Sequence, residues 1–335
     1  VRSLGLAVSG GWFDPGVGVP GTDYSQQVDP QVSYAVGNYL LAAGAGSDVT
    51  CNETPFTAAH VGNCINVTSG TNLTTGRYII LSVAAAVATL DRAVAIGACA
   101  DGTGRLGGAC TLTDTFLETV VPGATIYIKN DGTYSTAAIS MAADGTAAQP
   151  WRLIGYNTSR IDAPTGTNRP LVSFAANAFT LAGNYGIVRH IRFTGTSATG
   201  VTTGNVGMWR NCAFANTSTT AARNAFTTVN SIYVKCMKCT FTAPYGIGLS
   251  NASNSSLLQV ARSVFRDCGQ YAILGTTGTH SGNGDLDDCL FDTCGGYNTA
   301  GTPTGAAIEM TSATGWQIAR CTFYNCVQAI APTST

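Results

Sequence analysis

Charge is what this sequence has least of. Asp, Glu, Lys and Arg make up 10% of its 335 residues, against about a quarter in an average soluble protein. Glu and Lys are nearly missing: Arg supplies 14 of the 17 basic residues and Asp 15 of the 18 acidic ones. A chain so poor in the residues that populate exposed helix surfaces does not build an all-α protein. Nor is there a basic excess. The net charge is −1, so nothing marks a phosphate-backbone footprint and no nucleic-acid partner is expected. Long apolar runs are also missing. The longest, 78–90, has 13 residues, too few to cross a bilayer as a helix, and no basic stretch precedes it as in a signal peptide. No membrane span is expected. The chain opens on Val1 rather than Met, which leaves an upstream or processed start open. With 45% apolar residues, low charge here is not a signature of disorder.

What is present is glycine, 40 residues of it, with much Thr, Ala, Ser and Asn, and a repeat. Phe193, Phe214, Phe241, Phe265, Phe291 and Phe323 recur at spacings of 21 to 32 residues, averaging 26. Two residues before each Phe stand Ile191, Cys212, Cys239, Ser263, Cys289 and Cys321; five before stand Val188, Trp209, Cys236, Val260, Leu286 and Ile318. Three after come Thr196, Thr217, Pro244, Cys268, Cys294 and Cys326, followed by an apolar column of Ile247, Ile273, Ile308 and Ile330. The residues one and three before each Phe are largely polar, among them His190, Asn211, Lys238, Arg262, Asp288 and Arg320. Alternation of this kind describes half-buried strands. A unit of this size cannot bury its own apolar face, so neighbours must stack. Short strands, variable unit length and Gly/Asn/Thr-rich turns favour a parallel β-helix over a helical solenoid.

The 12 cysteines fall into two groups. Cys51 with Cys64, and Cys99 with Cys110, bracket short Gly-containing loops and are candidate local disulfides, worth roughly 2–4 kcal/mol each if formed. The other group forms inward columns: Cys212, Cys239, Cys289 and Cys321, then Cys268, Cys294 and Cys326. Rungs about 4.8 Å apart do not match the about 3.8 Å between Cβ atoms of a disulfide. These are expected to be a ladder of buried thiols. Cys236 and Cys239 make a C-x-x-C with no second copy, both on inward columns, so no metal site is assigned.

Along the chain, residues 1–49 are rich in Gly and Pro and suggest an extended arm with at most short strands. It carries Trp12, Phe13 and Tyr24, which must pack either on the next domain or on a partner subunit. Residues 50–112 alternate as a small β module. Within 113–125, DTFLETVV is the one convincing short helix, with Thr113 or Asp114 as its N-cap. Residues 113–335 then hold about eight or nine coils, and the last stops in mid-coil, to be continued by further chain or covered by a partner. The expected fold is all-β: a right-handed parallel β-helix preceded by a small β domain and an arm.

The segment PFTAAHVGNCINVTSGTNLTTGRYIILSV followed by ATLDRA resembles the small β module that precedes the β-helix in phage tailspikes and related virion proteins. VPGATIYIKNDGTY and the ARCTFYNCVQAI-like coils resemble the right-handed β-helix of pectate-lyase-like proteins. The resemblance covers about residues 50–335. It implies a virion spike, fibre or surface decoration, extracellular and commonly trimeric. The arm would join virion structural proteins, and the β-helix would contact a host-surface polysaccharide. The same fold also carries polysaccharide lyases and glycoside hydrolases, and bacterial surface proteins. These stand as second and third readings.

Candidate site residues are few. Asp285, Asp287 and Asp288 in GDLDDCLFDTC, with Asp267 and Asp292 nearby, are the one acidic cluster, and DDC looks like a paired-Asp motif of polygalacturonases. Inverting hydrolysis needs two carboxyls about 6.5–9.5 Å apart. The other polygalacturonase elements, Asn-Thr-Asp, Gly-His-Gly and Arg-Ile-Lys, are missing. Arg262 and Arg320 share the column of Asp288, which points to an outward Arg-Asp-Arg ladder instead. Tyr245, Tyr271 and Tyr297 stand near the start of the last strand of successive coils and could stack on a sugar face or form a turn ladder. His60, His190 and His280 are scattered and define no triad. Gly102 and Gly104 lack the strand-helix frame of a dinucleotide loop. No cofactor and no metal are expected. Val264 and Leu290, each directly before its Phe, make an outward apolar strip that predicts a contact with another chain or with the arm.

Overall fold

The structure, a computed structural model, describes residues 32–61, 64–107, 122–130, 132–136, 139–141, 144–157, 162–174, 179–204, 206–220, 223–229, 231–251, 257–275, 283–296, 305–310 and 316–332. It is all-β among these residues, with two single-turn 3-10 segments and no α-helix. The helix expected from DTFLETVV lies outside them. The chain divides into two units, Val1–Leu112 and Thr113–Thr335.

The first unit is a small closed antiparallel barrel. Its strands are Val32–Tyr34, Leu40–Ala42, Asp48–Cys51, Cys64–Ser69, Gly76–Ala84, Val87–Leu90 and Cys99–Gly107. Closure comes from the long last strand, which pairs with Leu40–Ala42 through its first half and with Cys64–Ser69 through its second. Period-two alternation turns Leu40, Val49, Ile65, Val67, Tyr78, Ile80, Leu90 and Leu106 inward, each at most 2% exposed. Three of these strands begin before residue 50. The arm assigned to 1–49 therefore gives up residues 32–49 to the barrel, and 1–31 lie outside the described residues.

The second unit is a parallel β-helix of eight coils among the described residues. Each coil gives one strand to each of three eight-stranded parallel sheets. The first sheet runs from Thr125–Lys129 to Gln317–Ala319, the second from Thr133–Thr136 to Thr322–Tyr324, the third from Ile139–Met141 to Ile330–Pro332. The phenylalanine column is the spine of the second sheet. Phe193 and Phe214 stack at 5.6 Å, and the pairs that follow, down to Phe291 and Phe323, stack at 5.1, 4.6, 5.0 and 4.8 Å with planes within 16°. Such ring pairs add about 0.5–1.5 kcal/mol each beyond their buried area.

Two register details differ from the expected columns. The residues three before each Phe are not strand positions. His190, Asn211, Lys238, Arg262, Asp288 and Arg320 all have φ between 51° and 58°. They are the left-handed corners that swing the chain from the first sheet to the second. A left-handed non-glycine residue costs roughly 1–2 kcal/mol. A backbone bond to the following coil offsets it, as in Asn211 N–H to Met237 O at 2.9 Å and Lys238 N–H to Ala261 O at 3.0 Å. The second difference lies in the third sheet. Ile273, Ile308 and Ile330 do form a column, but its member in the preceding coil is Leu249; Ile247 pairs with Tyr271. Leu249 and Ile273 each stand eight residues after their Phe, whereas Ile247 stands six after its own; Asp267 (φ 50°) makes only a local bulge that pairs Cys268 with Ala243, and the register of the Phe rung is restored by Tyr271.

The thiol ladder is present. Cys212, Cys239, Cys268, Cys289 and Cys294 are buried free thiols, and Cys321 and Cys326, on the last coil, are half-buried free thiols. Cys51 and Cys99 are also free thiols. The side chains of Cys64 and Cys110 lie outside the described residues.

Candidate functional site

The corner between the first and second sheets sets which side chains face outward together. Along the first sheet, residue pairing aligns three outward columns. One runs Arg152, Ile187, Met208, Lys235, Gln259, Asp285 and Gln317. The next runs Ile154, Arg189, Arg210, Met237, Ala261, Asp287 and Ala319. The third is the left-handed corner itself, from His190 to Arg320. Parallel pairing thus brings the three cluster aspartates together on one coil and puts a run of cations on the coils before it.

The aspartates are engaged with neighbouring rungs. Asp285 accepts a bond from Gln259 Nε2 at 3.0 Å, and Gln259 Oε1 accepts one from the Tyr233 hydroxyl at 2.9 Å. Burial, and secondarily the charge of Asp285, hold the Tyr233 phenol above its ordinary pKa. Asp287 pairs with Arg320 at 2.5 Å, and Asp288 approaches Arg262 at 3.9 Å. Asp292 pairs with Arg266 at 2.9 Å. The sequence pointed to both arginines meeting Asp288; instead each takes a different carboxylate, because Asp287 and the corner residue Asp288 leave the coil in different directions. Pairs this exposed are worth about 0–1 kcal/mol each. One atom stands apart: Asp287 Oδ1 is buried and accepts no hydrogen bond. Asp267 is a corner residue, removed from this column.

The tyrosines do not form one stack. Tyr245 sits in the turn after Ala243, 44% exposed, whereas Tyr271 opens the next coil's strand opposite Ile247. Burial and a hydrogen bond with Glu309 push Tyr271 up to about 12. Tyr297 and His280 lie outside the described residues. His60 accepts a bond from Thr57 N–H in a 3-10 turn.

The cations on the earlier coils were not among the expected site residues. Arg189 and Arg210 are direct neighbours on consecutive rungs of one column. Arg189 is half-buried with its Nε unpartnered, Arg210 is exposed, and neither makes an ion pair with any described residue. The same holds for Arg152, Lys235 and Lys238. Beside them, loop 162–170 packs on the corner. Arg169 donates to Gly166 O at 3.2 Å and Asn211 O at 2.9 Å, and Asn211 Nδ2 lies 2.7 Å from His190 Nδ1. Burial, aided by the charges of Arg189, Arg210 and Arg169, holds His190 below its ordinary range, against a hydrogen bond to Pro164. Arg189 and Arg210 stand four residues before their Phe, in a column that mixes Arg with Met237, Ala261 and Asp287.

The gap between Trp151, Leu181, Gly186, Val188, Thr203 and Trp209 has no room for even a water-sized group, so it is not a small-molecule pocket. Among the described residues no group of His, Cys, Asp or Glu is arranged to hold a metal ion, and no helix is long and apolar enough to cross a membrane. No protein-family model matches the chain, and no curated protein matches it in sequence.

Proposed function

We propose that this chain is a non-catalytic structural protein of a virion surface, a spike, fibre or decoration, extracellular, whose β-helix flank contacts a host-surface glycan. The observation that carries the reading is the engagement of the acidic cluster. Asp287, Asp288 and Asp292 each face an arginine of an adjacent rung, and Asp285 holds a glutamine. Inter-rung pairs of this kind lace a shaft together and leave no free carboxylate pair within this cluster to act as acid and base. The tailspike-like module before the β-helix supports the virion assignment, and the N-terminal segment would attach to other virion proteins. The fold's usual trimeric state, together with the half-buried Val264 and Leu290 on consecutive rungs, supports a homotrimer. Electron cryomicroscopy of the native particles tests this reading. Density for the chain anchored on a capsid or tail protein is the expected result; a free or cell-wall-bound chain would overturn it.

One observation favours a depolymerase instead. Asp287 Oδ1 is a buried acceptor without a donor, an atom that a substrate hydroxyl would satisfy. Incubation with bacterial and plant polysaccharides, followed by sizing of the polymer, decides between the two. Shortening that disappears in Asp287→Asn would establish the enzyme.

A further inference from the structure

The like-charged pair on the first sheet calls for a partner. Arg189 and Arg210 occupy neighbouring positions of one column, an arrangement that costs stability unless something anionic lies across it. No described carboxylate does. Asp162, in the loop beside them, accepts from Asn157 N–H at 3.0 and 3.2 Å. Cations recur along the axis in both directions: Arg152 is one coil earlier, Lys235 and Lys238 one coil later. Four successive coils therefore present a positive group at rung intervals of about 4.8 Å, a track about 14 Å long parallel to the helix axis. Its regular spacing suits a linear polyanion better than a single ion. Between the cations stand Ile154, Ile187, Met208 and Met237, half-buried aliphatic side chains, and the outward Tyr233 beside Lys235 is held by its hydroxyl to Gln259. A single-stranded nucleic acid would want aromatic platforms for its bases; a carboxylated sugar chain needs only the charges and an apolar floor.

We infer that the outward flank of the first sheet, centred on Arg189 and Arg210, binds an acidic polysaccharide through its repeating anionic groups. Each guanidinium offers a planar fork of donors that fits a carboxylate. The inference rests on the glycan-contact reading above and names its ligand class and site.

Affinity capillary electrophoresis of the intact chain tests it. The probes are alginate oligomers at several salt concentrations, with dextran as the neutral polymer, inorganic sulfate as the free anion and a single-stranded oligonucleotide as a phosphate polyanion. Alginate should bind and dextran should not. Arg189→Gln with Arg210→Gln should weaken binding about tenfold or more and flatten its salt dependence by about two counterions. Arg189→Lys with Arg210→Lys, which keeps the charge but not the fork, should keep the salt dependence while losing part of the affinity. Lys235→Gln with Lys238→Gln, at outward positions, gives a second weakened variant should the arginine pair prove needed for folding. Four results would each overturn the inference: equal binding of dextran, unchanged alginate affinity in both Gln variants, displacement of alginate by sulfate at equal charge, or tighter binding of the oligonucleotide. Sizing the recovered alginate separates the two claims. Shortened polymer sinks the non-catalytic reading and spares the site, whereas absent binding sinks the site alone.

Discussion

A cysteine directly follows a left-handed corner residue seven times in the β-helix: after Asn211, Lys238, Asp288 and Arg320 at the first corner, and after Asp267, Thr293 and Asn325 at the second. The reason is a carbonyl. The carbonyl of the residue before the corner accepts the corner N–H of the preceding coil, as Asp287 O does from Arg262 N–H at 2.9 Å, and the thiol two residues on gives it a second bond. Cys239 lies 3.5 Å from Met237 O, Cys289 3.4 Å from Asp287 O and Cys294 3.4 Å from Asp292 O. Where the column holds Ser263 instead, its hydroxyl makes the same bond to Ala261 O at 3.0 Å and accepts Cys239 N–H at 3.1 Å. The ladder is thus a set of capped corners, and its chemistry predicts how it tolerates change. Cys289→Ser should cost under about 1 kcal/mol, because serine already serves one rung away. Cys289→Ala should cost about 1–2 kcal/mol, through the space left by the buried sulfur and the loss of the second bond to Asp287 O, which keeps its bond from Arg262 N–H. Urea denaturation of the two variants measures the difference. The pH dependence follows from the same burial. Desolvation pushes the Cys289 thiol from 9.0 up to about 12, and burial carries Cys212 and Cys239 up as well. The folded state therefore holds these protons more tightly than the unfolded chain. Their contribution is complete below pH 9 and is lost as pH rises toward 12, by about 1.4 kcal/mol per unit for each thiol. Denaturation midpoints that stay flat from pH 9 to 10.5 would contradict this.

At the level of strands, the β-helix is held by matched columns, and a column tolerates only residues that fit both neighbours. Trp151 pairs in register with Gly186 on the next rung. A Cβ added at Gly186 would collide with the indole of Trp151, which is 1% exposed and has nowhere to move. Gly186→Ala should therefore destabilise the unit by about 1–3 kcal/mol through overpacking. Gly296→Ala, where nothing lies within 4 Å, should stay within about 0.5 kcal/mol of the parent. Equal denaturant midpoints for the two would refute the account. These columns also explain what could be read beforehand. The Phe column and the column five residues before it were visible because Phe recurs at the one and an apolar residue at every member of the other, with side chains buried to 2% or less through the seventh coil. The corner was not, because His, Asn, Lys, Arg and Asp look equally like outward strand residues, and only Asn and Asp commonly adopt φ near +55°. Ile247 misled because it and Leu249 stand two residues apart on one strand, and only the pairing shows that Leu249 lies in register with Ile273. The cation track was missed for a different reason: Arg189 and Arg210 share their column with Met237, Ala261 and Asp287, so it has no residue type of its own.

For the molecule as a whole, the question is which flank meets another copy. The outward column just before the Phe spine runs Thr240, Val264, Leu290 and Thr322 on successive rungs. Its two apolar members stand beside the Arg266–Asp292 pair, which bridges the same two rungs at 2.9 Å. An apolar pair rimmed by a satisfied ion pair is how the centre of a subunit contact is built, with burial at the middle and polar groups outside. Threonine is the natural test residue. It already flanks the pair on both sides in this column and suits a strand, so Val264→Thr with Leu290→Thr should leave the rungs intact. The fold should survive with a cost of about 1–2 kcal/mol or less, and the apolar centre of the contact should be lost. Light scattering coupled to size exclusion should then report trimer for the parent chain and a shift toward monomer for the double variant, with circular dichroism unchanged. If the variant remains trimeric at the same dilution, the contact lies on another flank. The first sheet would then be the next to test, and the polysaccharide site proposed there would have to share its surface with a neighbouring subunit. The two assignments therefore constrain each other. A chain that trimerises through the second sheet keeps its cation track free for a ligand, and one that trimerises through the first does not.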